Sequence, residues 1–250
     1  MKRFLAIPFL VFIAIVTGLT VSDSQKNQPA PLEVANFKAS DGVLLVADYY
    51  PGVSRNGVIL LHMMPETRAS WENFAKALQT RGFSVLAIDL RGHGDSAGGP
   101  LGYRSFSDLE HQKGVLDVRA GVEFLGEKGI VSGNMTLIGA SIGANLALQY
   151  VAEHPEIPSV GLLSPGIDYH GIKSLPMAAK LISGQRIFIA ASEDDDLGGV
   201  GAATVLRALV GQLGQKVERE LVIYKEAGHG TRMFGAEEPD LVVSLLGWAR

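Results

Sequence analysis

The sequence contains no cysteine in its 250 residues. This absence excludes a disulfide-stabilised scaffold, a metal site with thiolate ligands and a cysteine nucleophile. Aromatic residues are also scarce, at 7%, so a core has to be built from Val, Ile, Leu and Ala. Basic residues are not in excess: the formal net charge is −4, which argues against a nucleic-acid binder. The content of 47% hydrophobic residues is typical of a globular protein. The length suits one large α/β domain or two small ones.

An uncharged, apolar run covers residues 4–21, directly after the basic pair Lys2 and Arg3. This pattern is typical of an export signal, so residues 1–22 are interpreted as a signal peptide or a membrane anchor. The run is close to the ~17–25 residues that span a bilayer, which leaves both alternatives open. Residues 23–31 are polar and contain proline, and they predict a linker. We expect an extracytoplasmic protein that is secreted, periplasmic or tethered to the membrane through residues 4–21.

Strand-like and helix-like segments alternate along residues 32–250, which are expected to form one folded domain. Residues 32–37 and 43–49 flank the turn tripeptide Ser40-Asp41-Gly42 and predict a β-hairpin. Further strands are predicted at 57–63, 83–90, 135–140, 159–163, 186–191 and 220–225, and helices at 70–80, 107–127, 143–153, 201–213 and 237–250. The inward face of the helix at 107–127 is predicted to carry Leu109, Val115, Val118, Val122 and Leu125. The alternation predicts an α/β fold with a mostly parallel sheet and helices on both of its faces.

The pattern Gly-x-Ser-x-Gly occurs twice, around Ser141 and around Ser96. The first copy, residues 139–143, follows one predicted strand and opens a predicted helix. Such a strand–turn–helix setting places a serine at the tip of a sharp bend, where its hydroxyl can reach a substrate. The start of the helix also directs free N–H groups at an oxyanion that forms beside the serine. The context therefore favours Ser141 as a nucleophile.

Ser96 lies in a different setting. Its segment, Gly-Asp-Ser-Ala-Gly-Gly-Pro at 94–100, is similar to the serine segment of chymotrypsin-like proteases. Those enzymes are β-barrels in which the serine comes late in the chain, after its histidine and aspartate. Ser96 comes early, in a Gly/Pro loop with no predicted helix behind it. It is therefore interpreted as a loop residue that forms local hydrogen bonds.

A serine nucleophile needs a general base and an acid that orients this base. His229 stands between two glycines after the predicted strand 220–225, and the acidic run Glu193-Asp194-Asp195-Asp196 follows the predicted strand 186–191. Ligands bind beyond the carboxyl ends of strands in open α/β sheets, and the chain order serine, acid, histidine suits this architecture. His229 is predicted to be the base, and one member of the acidic run is predicted to orient it.

Taken together, these segments resemble the α/β-hydrolase superfamily over about residues 32–250. Leu61-His62-Met63-Met64-Pro65 resembles the oxyanion loop that follows the third strand of that fold. The segment at 89–96, Asp-Leu-Arg-Gly-His-Gly-Asp-Ser, is similar to the family's Asp-x-Arg-Gly-x-Gly-x-Ser segment, which implies a structural role for Ser96. Residues 164–185 are too few for a separate cap domain, so the chain resembles compact members such as dienelactone-hydrolase-like enzymes and small carboxylesterases.

The resemblance implies the remaining site residues. In the family the strand before the acid ends in Gly-x-x-Asp, and Ser192-Glu193-Asp194-Asp195 matches it with Ser in place of Gly. Asp195 is therefore the first choice for the orienting acid, and Asp194 is the alternative. The implied oxyanion donors are the backbone N–H groups of Met63 and Ile142. The family commonly has Gly where this chain has Met63, so a bulky apolar side chain is expected at the mouth of the pocket.

This set of residues predicts a hydrolase that cleaves ester-type bonds of small molecules. Ser141 would attack the carbonyl carbon, His229 would carry the proton, and Asp195 would hold the imidazole. No metal or cofactor is expected, because His62 is interpreted as a brace of the oxyanion loop and His93 as a structural loop residue. One alternative is an acyl-peptide or aminopeptidase-like hydrolase. An alternative of a different class is a catalytically inactive binding protein with a hydrolase fold.

Overall fold

The computed structural model of the chain describes residues 29–197, 200–236 and 239–249. The predicted leader, residues 1–22, and the predicted linker, residues 23–31, lie outside the described residues except for 29–31. Within the described part of the chain, no helix combines the length and apolar character needed to cross a membrane.

An eight-stranded sheet forms the centre of the domain. The strands in chain order are Glu33–Lys38 (β1), Leu44–Tyr50 (β2), Gly57–Leu61 (β3), Ser84–Asp89 (β4), Met135–Ala140 (β5), Ser159–Leu163 (β6), Asp168–Tyr169 (β7), Ile172–Lys173 (β8), Arg186–Ser192 (β9) and Glu218–Tyr224 (β10). The spatial order is β1-β2-β4-β3-β5-β6-β9-β10, and β7 pairs only with β8. The pairs β1–β2 and β2–β4 are antiparallel and the other pairs of the large sheet are parallel. This confirms the predicted α/β-hydrolase architecture with an N-terminal antiparallel hairpin.

Helices cover both faces of the sheet, as predicted. The α-helices of the described residues are Glu72–Thr80 (α1), Asp108–Gln112 (α2), Gly114–Glu127 (α3), Ile142–Glu153 (α4), Ser174–Ala178 (α5), Ala202–Gln212 (α6) and Leu241–Trp248 (α7). One apolar cluster joins a face of the sheet to α3, α4 and α6 through Val118, Leu146 and Leu206. A second cluster joins the opposite face to α1 and α7 through Phe74 and Leu245.

The central strands are buried along their whole length, which accounts for their continuous apolar sequences. Leu61 pairs with Gly139, and Ala140 pairs with Leu163, so β3, β5 and β6 end at the same edge of the sheet. The residues that follow these strands are therefore neighbours in space. In open α/β sheets this is the edge at which ligands bind.

The helix predicted at 107–127 is two helices. Ser107 caps α2 through a reciprocal pair of hydrogen bonds with Glu110, and Lys113 separates α2 from α3. Leu109 is 70% exposed, so its predicted inward orientation is wrong. Because α2 ends at Gln112, Leu109 does not share a helical face with the residues of α3. Within α3, the predicted inward residues Val118 and Leu125 are buried.

The connection between β6 and β9, residues 164–185, folds into the β7–β8 hairpin and the short helix α5. The hairpin turns at His170 and Gly171, which both have positive φ, +54° and +83°. No sequence pattern predicted these elements. The connection is nevertheless short, and it does not form a separate cap domain.

Candidate active site

Ser141 is the single residue between β5, which ends at Ala140, and α4, which begins at Ile142. Its φ is +55°, in the left-handed region that residues other than glycine rarely adopt. The Ser141 N–H donates a hydrogen bond to the carbonyl of Leu163, at 2.8 Å, which holds this conformation against the end of β6. The predicted strand–turn–helix setting of Ser141 is therefore present.

The glycines beside Ser141 allow this bend. A Cβ atom on Gly139 would lie 2.1 Å from the carbonyl oxygen of Gly143. A Cβ atom on Gly143 would lie 2.4 Å from the carbonyl oxygen of Leu61. Any larger residue would collide with the backbone at both positions, so the spacing of the motif follows from how closely the helix approaches the strands.

His229 and Asp195 form a buried pair. Asp195 follows β9, His229 follows β10, and the two residues are 2% and 6% exposed. The His229 Nδ1 atom lies 2.8 Å from Asp195 Oδ2 and 2.9 Å from Asp195 Oδ1. With Nδ1 donating to the carboxylate, Nε2 remains as the acceptor of the ring. The carboxylate thus fixes both the tautomer and the orientation of the imidazole.

The loop of His229 lies directly against the bend of Ser141. The N–H of Gly230 donates to Ser164 Oγ, at 2.9 Å, at the end of β6. A Cβ atom on Gly230 would lie 3.3 Å from the Cβ atom of Ala140, the residue before the serine. His229 and Ser141 are therefore neighbours at the same edge of the sheet.

Asp194, the alternative acid, has different partners. Its Oδ1 accepts hydrogen bonds from the Ser192 hydroxyl and from the N–H groups of Gly228 and Ala227, at 3.2 and 3.3 Å. These bonds, with the one from Ser192 as the largest contribution, hold the pKa of Asp194 below its ordinary value. Asp194 therefore ties the histidine loop to the end of β9, while Asp195 contacts the histidine ring itself.

The two predicted oxyanion donors are the backbone N–H groups of Met63, which follows β3, and of Ile142, which directly follows Ser141. Ile142 is the first residue of α4, where no preceding turn supplies an acceptor. Neither N–H group has a hydrogen-bond acceptor within the described residues. The Met63 side chain is 2% exposed and packs beneath Gly230, whose added Cβ atom would lie 2.4 Å from the Met63 sulfur. The expectation that this side chain lies at the pocket mouth is wrong, because the glycine leaves space for it in the core.

His62 braces the loop that carries Met63. Its Nδ1 donates to the Met63 carbonyl at 2.9 Å, and its Nε2 accepts from the N–H of Leu90 at 3.0 Å. Full burial, with a smaller contribution from the nearby His93, lowers the pKa of His62 to about 3. The imidazole is therefore neutral near pH 7 and serves as a fixed hydrogen-bonding link between two loops.

Ser96 has the local structural contacts that the sequence analysis predicted for it. Its Oγ donates to the Asp89 carbonyl at 2.6 Å and accepts from the N–H of Val46 at 2.9 Å. The residue is 3% exposed. The hydroxyl is thus occupied in joining the loop after β4 to β2.

The rest of the segment at 89–96 is also structural. The Asp89 carboxylate accepts from the N–H groups of Arg68 and Asp95, at 2.8 and 2.9 Å. Arg91 forms ion pairs with Asp117 and Asp41, both at 2.7 Å. Each of these buried or half-buried charges has an opposite partner, so none of them is left uncompensated in the loop.

One residue of the connection after β6 was not indicated by the sequence. The Tyr169 ring, in β7, packs on the backbone of Gly166, since a Cβ atom added there would lie 2.5 Å from its Cε2 and Cζ atoms. Burial raises the pKa of this phenol, which keeps the hydroxyl protonated. No motif marks Tyr169; its position in the short connection after β6 was the only available signal.

The described residues offer the parts of a nucleophilic site. They contain a serine at a helix start, an imidazole paired with a carboxylate, and two backbone N–H groups, of Met63 and Ile142, that have no acceptor among the described residues. Within residues 29–197, 200–236 and 239–249, no group of three or more His, Asp or Glu side chains is arranged to hold a metal ion. The arrangement suits attack on a carbonyl carbon followed by stabilisation of the resulting oxyanion.

Several known proteins with similar sequences or structures are hydrolases. A monoacylglycerol lipase of Mycolicibacterium smegmatis is 27% identical over 159 residues, which cover 60% of this chain and 53% of that protein. An esterase of Pyrococcus furiosus has a similar structure, with a TM-score of 0.72 at 20% identity over 87% of this chain and 91% of that one. A dienelactone hydrolase of Anabaena variabilis gives a TM-score of 0.68 at 20% identity, over 89% and 95% of the two chains.

The matched segments span 22–53% of the lengths of four curated relatives, so these likenesses concern the shared hydrolase domain. A family model described as "Serine aminopeptidase, S33" matches residues 52–186, which include Ser141 and Met63. This match covers more than half of the chain. The fold, the bend at Ser141 and the family match together show that the chain belongs to the serine aminopeptidase S33 family of the α/β-hydrolase superfamily.

Proposed function

We propose that the protein is a serine hydrolase that cleaves ester bonds of small molecules through an acyl-enzyme intermediate. Ser141 is the nucleophile, His229 the general base and Asp195 the acid that orients it. The observation that carries the proposal is the buried pair of His229 and Asp195, 2.8 Å apart, on a loop that packs against the Ser141 bend. The Met63 and Ile142 N–H groups are the oxyanion donors.

The reaction follows from these positions. Ser141 Oγ attacks the carbonyl carbon while His229 Nε2 accepts the serine proton, and Asp195 stabilises the imidazolium that forms. The oxyanion accepts hydrogen bonds from Met63 and Ile142, each worth about 2.7–4 kcal/mol by analogy with measured oxyanion donors. The intermediate then collapses, and the leaving alcohol takes the proton from His229. A water molecule, deprotonated by His229, releases the acid in a second cycle of the same steps and restores Ser141.

The short connection between β6 and β9 supports the proposal that the substrates are small and have short acyl groups. Only the β7–β8 hairpin and α5 lie between β6 and β9. Lipases that bind long chains need an extended apolar surface over the nucleophile, and this connection is too short to provide a separate lid domain. Similar structures include the esterase and the dienelactone hydrolase described above.

A peptidase is the second candidate, because the family model carries the description of a serine aminopeptidase. The same three residues can cleave an amide if His229 protonates the leaving amine. The two candidates differ in the leaving group, which makes them separable with simple chromogenic substrates.

The test is a panel of p-nitrophenyl esters of increasing acyl length, with an aminoacyl p-nitroanilide alongside. We expect hydrolysis of the esters with a preference for short acyl chains, abolished in Ser141→Ala and retained in the matched control Ser96→Ala. Cleavage of the anilide without the esters would favour the peptidase. Absence of turnover on every substrate would instead favour a binding protein with a hydrolase fold.

We also propose that residues 1–22 direct export of the chain and that it acts outside the cytoplasm. The support is the basic pair followed by the uncharged run 4–21. Cell fractionation of the full chain and of a variant lacking residues 1–22 tests this. Export should be lost in the shortened variant, and equal export of both chains would contradict the proposal.

A further inference from the structure

Ser164, the residue directly after β6, is fully buried and has an unusual backbone conformation. Its φ is +49°, in the left-handed region that glycine adopts more readily than serine. A glycine at this position would form the same bend at a lower cost in backbone strain. The feature that distinguishes serine from glycine here is its hydroxyl group, which lies in the interior and has a defined hydrogen-bond partner.

Ser164 connects the end of β6 to the neighbouring strand β9 and to the loop that carries His229. Its N–H donates to the carbonyl of Ala190, in β9, at 2.9 Å. Its Oγ accepts from the N–H of Gly230 at 2.9 Å. The residue before it, Leu163, accepts through its carbonyl from the N–H of Ser141 at 2.8 Å. The bond that holds the nucleophile and the bond that holds the histidine loop therefore have their acceptors on adjacent residues.

His229 lies between two glycines whose N–H groups are both hydrogen-bonded. The N–H of the preceding residue, Gly228, donates at 3.2 Å to Asp194, in the turn after β9 that also carries the acid of the buried pair. The N–H of the following residue, Gly230, donates to Ser164, at the end of the strand beside the nucleophile bend. The first bond thus holds the imidazole near its acid, and the second holds it near the nucleophile.

We propose that Ser164 is a positioning residue of this site, whose hydroxyl keeps the His229 ring within proton-transfer distance of Ser141. The inference rests on the proposed function, in which this ring takes the serine proton. Without the hydroxyl, the N–H of Gly230 loses its buried acceptor, and the ring can shift while its bond to the Asp195 carboxylate persists. A shift of about 1 Å between reacting groups can slow a reaction by about a hundredfold.

The test is the hydrolysis of p-nitrophenyl acetate by Ser164→Ala. We expect kcat to fall by about ten- to a hundredfold with little change in KM, because a misplaced imidazole slows proton transfer without weakening the binding of the ester. Ser84→Ala is the matched control and should keep the wild-type kcat. The buried Oγ of Ser84 also accepts from a glycine N–H, that of Gly52 at 3.2 Å, but Ser84 is the first residue of β4, at the amino end of the parallel strands.

Ser164→Gly is a second variant, which removes the hydroxyl together with the strain of the positive φ and so tests the role if Ser164→Ala does not fold. We expect it to show the same loss of kcat. A wild-type kcat in either variant would overturn the role of Ser164 and leave the proposed function intact. Absence of turnover by the wild type would instead contradict the proposed function, and with it the role of Ser164.

A double-mutant cycle separates positioning of His229 from support of the fold around Ser141. The measured quantity is the rate at which a fluorophosphonate modifies Ser141, followed by mass spectrometry. Ser164→Ala should slow this modification about ten- to a hundredfold when His229 is present, and should leave the slow residual rate unchanged in a His229→Ala background. An equal loss in both backgrounds would show that Ser164 does not act through His229 and would overturn the proposal.

Discussion

At the scale of single residues, the adjacent aspartates Asp194 and Asp195 have different hydrogen-bond partners. Asp195 contacts the imidazole of His229 through both carboxylate oxygens, while Asp194 accepts hydrogen bonds from Ser192 and from the backbone before the histidine. The negative charge of Asp195 is buried and faces the ring that becomes positive during the reaction. Replacing this charge with an amide should therefore affect catalysis far more than the same change at Asp194.

Asp195→Asn is expected to lower kcat for ester hydrolysis by about 10³–10⁴-fold, because the amide stabilises the wrong tautomer of His229 and carries no charge. Asp194→Asn is the matched control and should lose less than about tenfold, since its amide oxygen can still accept from the Gly228 N–H. Steady-state kinetics with p-nitrophenyl acetate measures both. A larger loss in Asp194→Asn would reverse the assignment of the acid.

At the scale of elements, the bend between β5 and α4 depends on glycines that have no space for a side chain. Gly139→Ala would place a Cβ atom 2.1 Å from backbone, and we expect it to lower the free energy of unfolding by at least about 3 kcal/mol. Gly126→Ala, in α3, has no atom within 4 Å of its added Cβ atom and should raise the free energy by up to about 1 kcal/mol. Urea denaturation separates these outcomes, and equal stability of the two variants would contradict the packing described for the bend.

The same elements show what the sequence could predict. The sheet, the bend and the place of His229 follow from local patterns: apolar strands, glycines around a serine, and the order of residues after successive strands. Which of Asp194 and Asp195 contacts His229 depends on the conformation of the turn after β9. The residue types alone do not determine that conformation. The position of the β7–β8 hairpin likewise depends on Asn145, in a different element, whose side chain bonds to Gly166 and Ile172. Such contacts between distant segments leave no periodic signal in a single sequence.

At the scale of the whole molecule, three histidines are buried with lowered pKa values. Burial is the first cause in each case, and it lowers the pKa of His62 to about 3, that of His111 to about 4, and that of His93 below its ordinary value. The unfolded chain binds protons at these side chains near pH 6.5, while the folded chain excludes them. These neutral histidines therefore make their full contribution to the free energy of unfolding above about pH 6.5. That contribution is lost as the pH falls from there towards the pKa values of the three histidines in the folded chain.

We expect the free energy of unfolding to decrease as the pH falls from about 7 to about 5. The decrease is about 1.4 kcal/mol per pH unit for each proton that only the unfolded chain binds. His62→Gln removes one such group and should reduce this slope. Chemical denaturation of both proteins at a series of pH values measures it, and identical slopes would contradict the neutral, buried state of His62.

The central claim is that Ser141 is the nucleophile and that His229 activates it. The most direct measurement is mass spectrometry of peptides from the full chain after treatment with a fluorophosphonate. We expect one adduct, on the peptide that contains Ser141, absent from Ser141→Ala, strongly reduced in His229→Ala and retained in Ser96→Ala. An adduct on Ser96, or undiminished labelling in Ser141→Ala, would contradict it.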